Sequence, residues 1–188
     1  MGAEQTAVEE ATPPLLSRRR ERRLVGAAQE GSADAVGALY SAHWRRAHRA
    51  AYLIVHDRAA AEDVAQDAFL AAVDALDRFD RRRPFAPWLH RIVVNRALDW
   101  ARRESLRRRV DPAAELEGTE LRGPELGDEL MAALRELPPE QRAVVVLRHL
   151  LEYTPGEIAS MLELPRGTVN SRLRRALDDL RETIEVDR

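Results

Sequence analysis

The chain has 188 residues, of which 45% are hydrophobic and 33% charged, enough apolar material for one ordinary domain or two small ones. It contains no cysteine, which excludes disulfides, thiolate zinc sites, iron–sulfur clusters and cysteine nucleophiles within the chain and fits a reducing compartment. The formal net charge is −2, and no stretch approaches the ~20 apolar residues of a membrane span, so no membrane insertion is expected.

The first 30 residues are poor in apolar side chains and are predicted to form a disordered basic tail. Pro13 and Pro14 interrupt any helix there, and the arginine-rich run at 18–23 is typical of a solvated tail. A contact between this run and phosphate is the alternative interpretation.

Three helices are predicted over residues 31–109. The first covers 33–55, with apolar residues at three- and four-residue spacing and Ser32 as its N-cap. The second covers about 60–77, and the third starts near 84 and runs past 103. The residues expected to face inward on the second and third helices are Val64, Ala68, Val73, Leu76, Leu89, Ile92, Val93, Ala97 and Trp100.

Charge is separated along this domain. Residues 57–77 carry a net −5 from six acids and one arginine, and residues 78–109 carry a net +8 from eleven arginines and three acids. All 30 basic residues of the chain are arginine, which a GC-rich genome would also explain. The basic segment favours an anion such as nucleic acid as its partner. The acidic face of the second helix suits a protein partner, or it is an ordinary solvated face.

Arginines alternate with aromatic rings where the third helix begins. Residues 81–83 are all arginine and lie between Phe79 and Phe85, with Trp88 one turn further on. This pattern suits single-stranded nucleic acid, because the charges follow the backbone while rings stack on unpaired bases. Alternatively, the rings form the core of the domain. The polar residues that continue along the third helix, as a phosphate-binding or an ordinary solvated face, are Arg91, Asn95, Arg102 and Arg103.

Residues 110–127 are predicted to form a flexible acidic linker, because glycine, proline and acids replace apolar side chains there. A second helical domain is predicted over 128–186. The first of its expected helices ends before Pro138, and the other three cover about 139–151, 155–162 and 166–185. Because no alternating strand pattern occurs, the predicted fold class is all-α, with two small helical domains.

The last two helices have the signature of a helix-turn-helix motif. Thr154 and Glu157 are spaced for a capping box, and a three-residue turn at 163–165 separates the two helices. In this motif the second helix enters the major groove. Residues 166–175 contain four arginines and no acid. The outward residues predicted to bind DNA are Arg166, Thr168, Asn170, Ser171, Arg172, Arg174 and Arg175. The predicted inward stripe of this helix is Val169, Leu173, Ala176, Leu177, Leu180 and Ile184.

Two other classes of function compete with this interpretation. One is a stand-alone helix-turn-helix transcriptional regulator that binds duplex DNA without further machinery. The other is a metal-dependent enzyme that uses His43 and His48, but their five-residue spacing does not align two ligands on one helix face. No catalytic residue, metal site or cofactor is therefore expected.

Together, these residues resemble the extracytoplasmic-function (ECF) class of bacterial RNA polymerase sigma factors, which belongs to the sigma-70 family. Residues 61–69 resemble the polymerase-binding helix, and 84–103 resemble the segment that opens and reads the minus-10 element. Residues 157–173 resemble the minus-35 reader. The likeness covers about 33–109 and 128–184.

The resemblance implies a cytoplasmic sigma factor that binds core RNA polymerase at its clamp helices and flap. It would recognise promoter DNA, both duplex and melted, and assist melting at the minus-10 element. An anti-sigma factor that docks on the polymerase-facing surfaces is a further partner that the class often uses. By resemblance, the polymerase-binding residues are Asp63, Gln66 and Asp67. The minus-10 residues are Asp80, Arg81, Arg82, Arg83, Trp88, Arg91, Asn95, Arg102 and Arg103, and the minus-35 residues are the seven outward residues of the last helix.

The sequence departs from the family pattern at two positions. Glu163 stands in the turn where glycine is common, and a left-handed turn is harder for glutamate. Asn170 stands where lysine or arginine is common, and asparagine is suited to reading adenine.

Overall fold

The structure is a computed structural model that describes residues 16–110 and 127–186. The described residues form helices and contain no strand, which confirms the all-α prediction. The helices are α1 (Arg18–Gln29), α2 (Ala33–Val55), α3 (Arg58–Asp74), α4 (Phe85–Val110), α5 (Asp128–Glu136), α6 (Pro139–Val145), α7 (Pro155–Leu162) and α8 (Arg166–Val186). A 3₁₀ turn, Leu76–Arg78, follows α3, and a π-helical turn, Val146–Leu150, extends α6. The predicted linker lies almost wholly at 111–126, outside the described residues.

The N-terminal domain is a bundle in which α2 packs against α1, α3 and α4. Ser32 caps α2, as predicted, by accepting a hydrogen bond from the backbone N–H of Ala35 at 3.3 Å. The buried face of α3 is rich in alanine, and Ala61, Ala65 and Ala68 are fully buried. Small side chains on α3 let its neighbours approach closely, while larger residues such as Ile54 fill the centre of the core.

Residues 18–29 form helix α1, so the prediction of a disordered tail is wrong for this part of the chain; residues 1–15 lie outside the described residues. The helix is held by a buried apolar residue, Val25, and by polar contacts with distant residues. The side-chain amide of Gln29 donates hydrogen bonds to the carbonyls of Leu76 and Phe79, at 2.9 and 2.8 Å. The carboxylate of Glu21 is buried within the domain. Sequence patterns miss such a helix because its partners lie about fifty residues away.

The C-terminal domain is built from α5 to α8, with Val144, Leu147, Ile158 and Val169 fully buried. The predicted capping box at the start of α7 is present. Thr154 Oγ1 accepts from the backbone N–H of Glu157 at 3.3 Å, and the backbone N–H of Thr154 donates to the Glu157 carboxylate at 2.8 Å. This fixes where α7 begins. The turn that leads into α8 begins at Glu163, whose left-handed backbone conformation (φ 54°) ends α7.

Two residues predicted to face inward do not. Val73 on α3 is 42% exposed and Leu177 on α8 is 40% exposed. Each follows a fully or nearly fully buried alanine, Ala72 or Ala176. Adjacent helical residues point about 100° apart, so the neighbour of a residue at the centre of a packed face lies at its edge and stays exposed unless another element covers it.

The two domains are packed against each other, which the sequence did not predict. Helices α6 and α7 contact α4, and α6 also contacts α2. The guanidinium of buried Arg142 donates hydrogen bonds to the carbonyls of Arg135 and Leu137 within its own domain, and to that of Ile54 in the N-terminal domain. Among the described residues, no helix is long and apolar enough to cross a bilayer.

Candidate nucleic-acid interface

Helix α8 presents a basic surface on the side opposite its buried residues. Arg166, Asn170 and Arg174 are exposed and follow one another at four-residue spacing, which places them along one side of the helix. Arg175 is also exposed. The residues buried on the packed face of α8 are Val169, Leu173, Ala176 and Leu180. The N-terminal end of α8 adds the positive end of the helix dipole to these charges.

The remaining predicted residues of α8 are less open. Thr168 and Ser171 are partly buried, and the Ser171 hydroxyl donates to the Thr168 carbonyl at 3.0 Å. Arg172 is also partly buried, and its charge acts on Glu140. Burial by itself would raise the pKa of Glu140. Hydrogen bonds from its own backbone N–H and from Arg102, with the charges of Arg102 and Arg172, lower the pKa overall.

The arginine-rich segment before α4 is a tight exposed turn. Asp80 Oδ1 accepts from the backbone N–H of Arg82 at 2.9 Å, and the Asp80 carbonyl accepts from that of Arg83 at 2.9 Å. All four side chains at 80–83 are exposed. The turn and α1 enclose a polar cleft of about 580 Å³, lined by Arg22, Gln29, Asp77, Asp80, Arg81 and Arg82.

A buried glycine lets this turn lie close to α1. A Cβ placed on Gly26 would lie 3.2 Å from Arg81 Nη1, tighter than ordinary van der Waals contact. An alanine at Gly26 would therefore require the Arg81 guanidinium to shift by a few tenths of an ångström.

The three rings of this region have different roles. Phe79 and Phe85 are buried and meet edge to face, with ring centroids 5.9 Å apart. Trp88 is partly exposed and lies 4.5 Å from Phe79, centroid to centroid. The core interpretation therefore holds for both phenylalanines, and Trp88 packs on them while remaining partly exposed.

The predicted polar face of α4 is divided. Asn95 and Arg103 are exposed. Arg91 forms an ion pair with Glu163, and Arg102 Nε lies 3.0 Å from Glu140 Oε1. The structure thus places the 80–83 turn on open surface and leaves Trp88 partly exposed. Arg91 and Arg102 pair with acids of the C-terminal domain, although the Arg102 side chain remains 55% exposed.

The three residues predicted to bind polymerase, Asp63, Gln66 and Asp67, are all exposed on α3. An apolar groove of about 680 Å³ runs beside them between α2 and α3, and Leu70, which lines it, is 64% exposed. Sequence reasoning missed Leu70. The sequence did contain a signal. Leu70 follows Asp67 by three residues and Gln66 by four, so it shares their side of the helix, where a solvated face would have a polar residue.

His43, which the enzyme alternative would use, is enclosed in the N-terminal domain. Its Nε2 lies 3.2 Å from Glu21 Oε1, and its ring packs against Phe85. Burial would raise the pKa of Glu21, but hydrogen bonds from His43 and from the backbone N–H of Phe85 lower it overall. The Glu21–His43 pair therefore joins α1 to α2, and its contacts with Phe85 join both helices to α4 inside the core.

Comparison with known proteins identifies the family. The models described as "Sigma-70 region 2" and "Sigma-70, region 4" match residues 39–107 and 127–180. The chain is 36% identical to the ECF RNA polymerase sigma factor SigM of Mycobacterium tuberculosis over 163 residues, covering 84% of this chain and 81% of SigM. This chain belongs to the ECF class of the sigma-70 family.

Other relatives agree with this assignment. The sigma factor is 29% identical to SigW of Bacillus subtilis over 174 residues, covering 83% of this chain and 92% of SigW. The solved structure of CnrH in complex with the cytosolic domain of CnrY matches with a TM-score of 0.67 and 29% identity, covering 89% of this chain and 99% of CnrH. The sigma factor RpoE of Bartonella quintana, at 23% identity and a TM-score of 0.65, shares the fold, covering 76% of this chain and 91% of RpoE.

The protein is therefore an RNA polymerase sigma factor that acts in promoter recognition, and the stand-alone regulator is not favoured. Sigma factors are regulatory proteins without a catalytic reaction of their own.

Proposed function

We propose that this sigma factor reads the minus-35 element with the exposed side of α8. The observation that supports this most directly is the arginine row beginning at Arg166, which follows a capped helix and a three-residue turn. Arg174 and Arg175 suit guanine edges or phosphates, and Asn170 suits adenine.

The proposed polymerase surface is the side of α3 that carries Asp63, Gln66 and Asp67, together with the groove at Leu70. Exposed acids around an open apolar groove suit a partner helix that is basic at its edges and apolar at its centre. The clamp helices of core polymerase are the proposed occupant, and the C-terminal domain is proposed to meet the flap.

The proposed minus-10 site consists of the 80–83 turn, Trp88 and the polar face of α4. The arginines attract the backbone of the melted strand, and Asp80 and the exposed face of Trp88 border the place of an extruded base. Extruding a base costs a few kcal/mol, which contacts in a pocket offset.

A protein that restrains the sigma factor is proposed as a further partner. The structure of CnrH was solved in complex with the cytosolic domain of CnrY, and that of RpoE with the anti-sigma factor NepR. By analogy, an anti-sigma factor would cover the acidic face and groove of α3 before polymerase does. The proposed place of action is the cytoplasm, where RNA polymerase works.

Run-off transcription tests this proposal. Purified core RNA polymerase and the sigma factor are incubated with a genomic fragment library, and the transcript starts are sequenced. We expect starts that share upstream minus-35 and minus-10 elements. Core binding without shared elements would contradict the promoter-reading assignments, and no core binding would contradict the polymerase surface.

A further inference from the structure

Helix α4 begins without a cap from the residue that precedes it. In four other helices, α1, α2, α3 and α7, the preceding residue accepts a hydrogen bond from the first turn with a side-chain oxygen; these residues are Ser17, Ser32, Asp57 and Thr154. Pro84 precedes α4, and its ring contains no oxygen that could do the same. Because the first backbone N–H groups of a helix have no partner within the helix, α4 needs an acceptor from elsewhere.

The carboxylate of Glu21, on α1, supplies this acceptor from 64 positions away in the sequence. Its Oε2 accepts a hydrogen bond from the backbone N–H of Phe85, the first residue of α4, at 3.2 Å. The backbone N–H of Ala86 interacts with the same carboxylate. Pro84 and Pro87 have no N–H, so these two donors are the ones that the start of α4 has to satisfy. The cap of α4 thus comes from α1.

The Glu21 carboxylate is held from a second side by α2. Glu21 is 8% exposed, and its Oε1 lies 3.2 Å from Nε2 of His43. Burial alone would raise the pKa of the Glu21 carboxyl, but its interactions with His43 and Phe85 lower the pKa overall, so the cap is a carboxylate at neutral pH. A negative charge at this place is also favoured by the positive end of the α4 dipole.

Helix α1 also holds the other end of the 80–83 turn. The side-chain amide of Gln29 donates a hydrogen bond to the carbonyl of Phe79, just before the turn, at 2.8 Å. Gly26 leaves room for the turn itself, since a Cβ there would lie 3.2 Å from Arg81 Nη1. Helix α1 therefore contacts the chain just before the turn, within it and, through the Glu21 cap, just after it.

We propose that Glu21 is a positioning residue for minus-10 recognition: it fixes where α4 begins, and thereby holds the 80–83 turn and Trp88 in the arrangement that receives the extruded base. The inference rests on the proposed minus-10 site. Contacts to an extruded base have to be held to within about 0.5 Å, which favours a site whose backbone is attached at both ends. Glu21 acts through α4 rather than by touching DNA, because its carboxylate is buried.

The test measures base preference at the minus-10 element with holoenzyme reconstituted from purified core polymerase. The probe is a fork-junction DNA that carries the minus-10 sequence found by run-off transcription, and the comparison probe has one unpaired minus-10 base replaced. The ratio of the two affinities is the readout. A smaller folded fraction of sigma factor changes both affinities by the same factor, so a loss of stability alone does not change the ratio.

Three variants separate positioning from stability. Glu21→Ala removes the cap, whereas Glu21→Gln retains an oxygen that can accept from the N–H of Phe85. The matched control is Val55→Ala, at a buried position of α2 that lies twelve residues beyond His43, or about 18 Å along the helix. This control is expected to lower the stability of the same domain at a distance from the start of α4.

We expect wild-type holoenzyme to prefer the promoter base by on the order of tenfold, a usual effect of one mismatched position. Glu21→Ala should lose most of this preference, Glu21→Gln should restore most of it, and Val55→Ala should keep it. A preference that is unchanged in Glu21→Ala, or that falls equally in Val55→Ala, would overturn the positioning role.

Amide hydrogen exchange of the free protein distinguishes failure of this inference from failure of the proposed minus-10 site. Glu21→Ala is expected to speed exchange over residues 80–86 more than Val55→Ala does, because the first N–H groups of α4 lose their acceptor. Equal exchange in the two variants would overturn the role of Glu21. Faster exchange in Glu21→Ala, combined with a wild-type base preference in Asp80→Ala, would support the cap and count against the proposed minus-10 site.

Discussion

At the scale of single residues, the sigma factor contains charged and titratable groups whose roles depend on what covers them. Arg142 is buried, yet its guanidinium meets three backbone carbonyls from two domains. His56 lies nearby at the end of α2, and burial, together with the charges of Arg142 and Arg135, lowers its pKa to about 3. Because the pKa of such a buried histidine differs between the folded and the unfolded chain, the free energy of unfolding depends on pH.

Acidification is predicted to destabilise the protein through His90 and His56. Both are neutral when buried, with folded pKa values of about 3 against an ordinary value of 6.5. Between these values the unfolded chain binds protons that the folded chain excludes, so stability falls as pH drops from about 6.5 towards 3. The groups facing His90 are Tyr153, His43 and Arg46, and those facing His56 are Arg142 and Arg135.

Urea unfolding at pH 7.5 and pH 5 measures this effect. His90→Gln is expected to reduce the difference between the two pH values. His149→Gln, at an exposed position, is the control and is expected to keep it. The same pH dependence in both variants would refute the assignment to His90.

Arg174 and Arg175 are predicted to supply binding energy for the minus-35 duplex. Replacing either by alanine should weaken promoter binding by roughly 1–3 kcal/mol where the side chain meets a base. Arg181→Ala is the control, because Arg181 is exposed on the same helix and pairs with Asp178 at 3.6 Å. Fluorescence anisotropy with the promoter duplex measures the change. Unchanged affinity in both variants would remove α8 from the minus-35 assignment.

At the scale of elements, α1 shows how polar contacts can place a helix that has few apolar residues. Its Gln29 amide bridges the carbonyls of Leu76, in the 3₁₀ turn after α3, and of Phe79, just before the arginine turn. We therefore expect α1 to stabilise the N-terminal domain and to position the polar cleft beside Arg81.

Gln29→Ala is predicted to lower the free energy of unfolding by roughly 1–3 kcal/mol, because two partly buried carbonyls lose their donor. Gln66→Ala, at an exposed position of α3, is the control and should change stability little. Urea denaturation followed by circular dichroism measures both. Equal stability of the two variants would show that the Gln29 bridge does not hold α1.

The α3 surface is predicted to bind core polymerase through charge and apolar contact together. Charge reversal at Asp63 and Asp67 should abolish holoenzyme formation while the fold remains intact by circular dichroism. Leu70→Ala should weaken core binding with little effect on stability, because Leu70 is 64% exposed. Normal holoenzyme assembly by the charge-reversal variant in a pull-down would exclude this face as the polymerase site.

At the scale of the whole molecule, the arrangement of the two domains decides which predicted residues are free. The 80–83 turn, Asn95 and the exposed residues of α8 face solvent. Arg91 and Arg102 pair with acids of the other domain. The contact between the domains therefore engages part of the polar face of α4 and leaves Asn95 and Arg103 open.

Local sequence determined the identity and bounds of most helices. Ser32 and Thr154 cap the helices that they were expected to cap, because capping depends on residues within one turn. Apolar spacing located α2, α4, α7 and α8 for the same reason. Motif order along the chain was enough to suggest the family, and the comparisons confirmed it.

Only the tertiary structure decided the features that join distant residues. The α1 helix depends on Gln29 and Glu21 meeting partners about fifty residues away or more, and Val73 and Leu177 are exposed because a neighbouring alanine takes the packed position. The docking of the two domains joins residues up to about a hundred positions apart. No local pattern encodes these pairings, since each depends on the shapes and charges of two surfaces that meet only after both domains have folded.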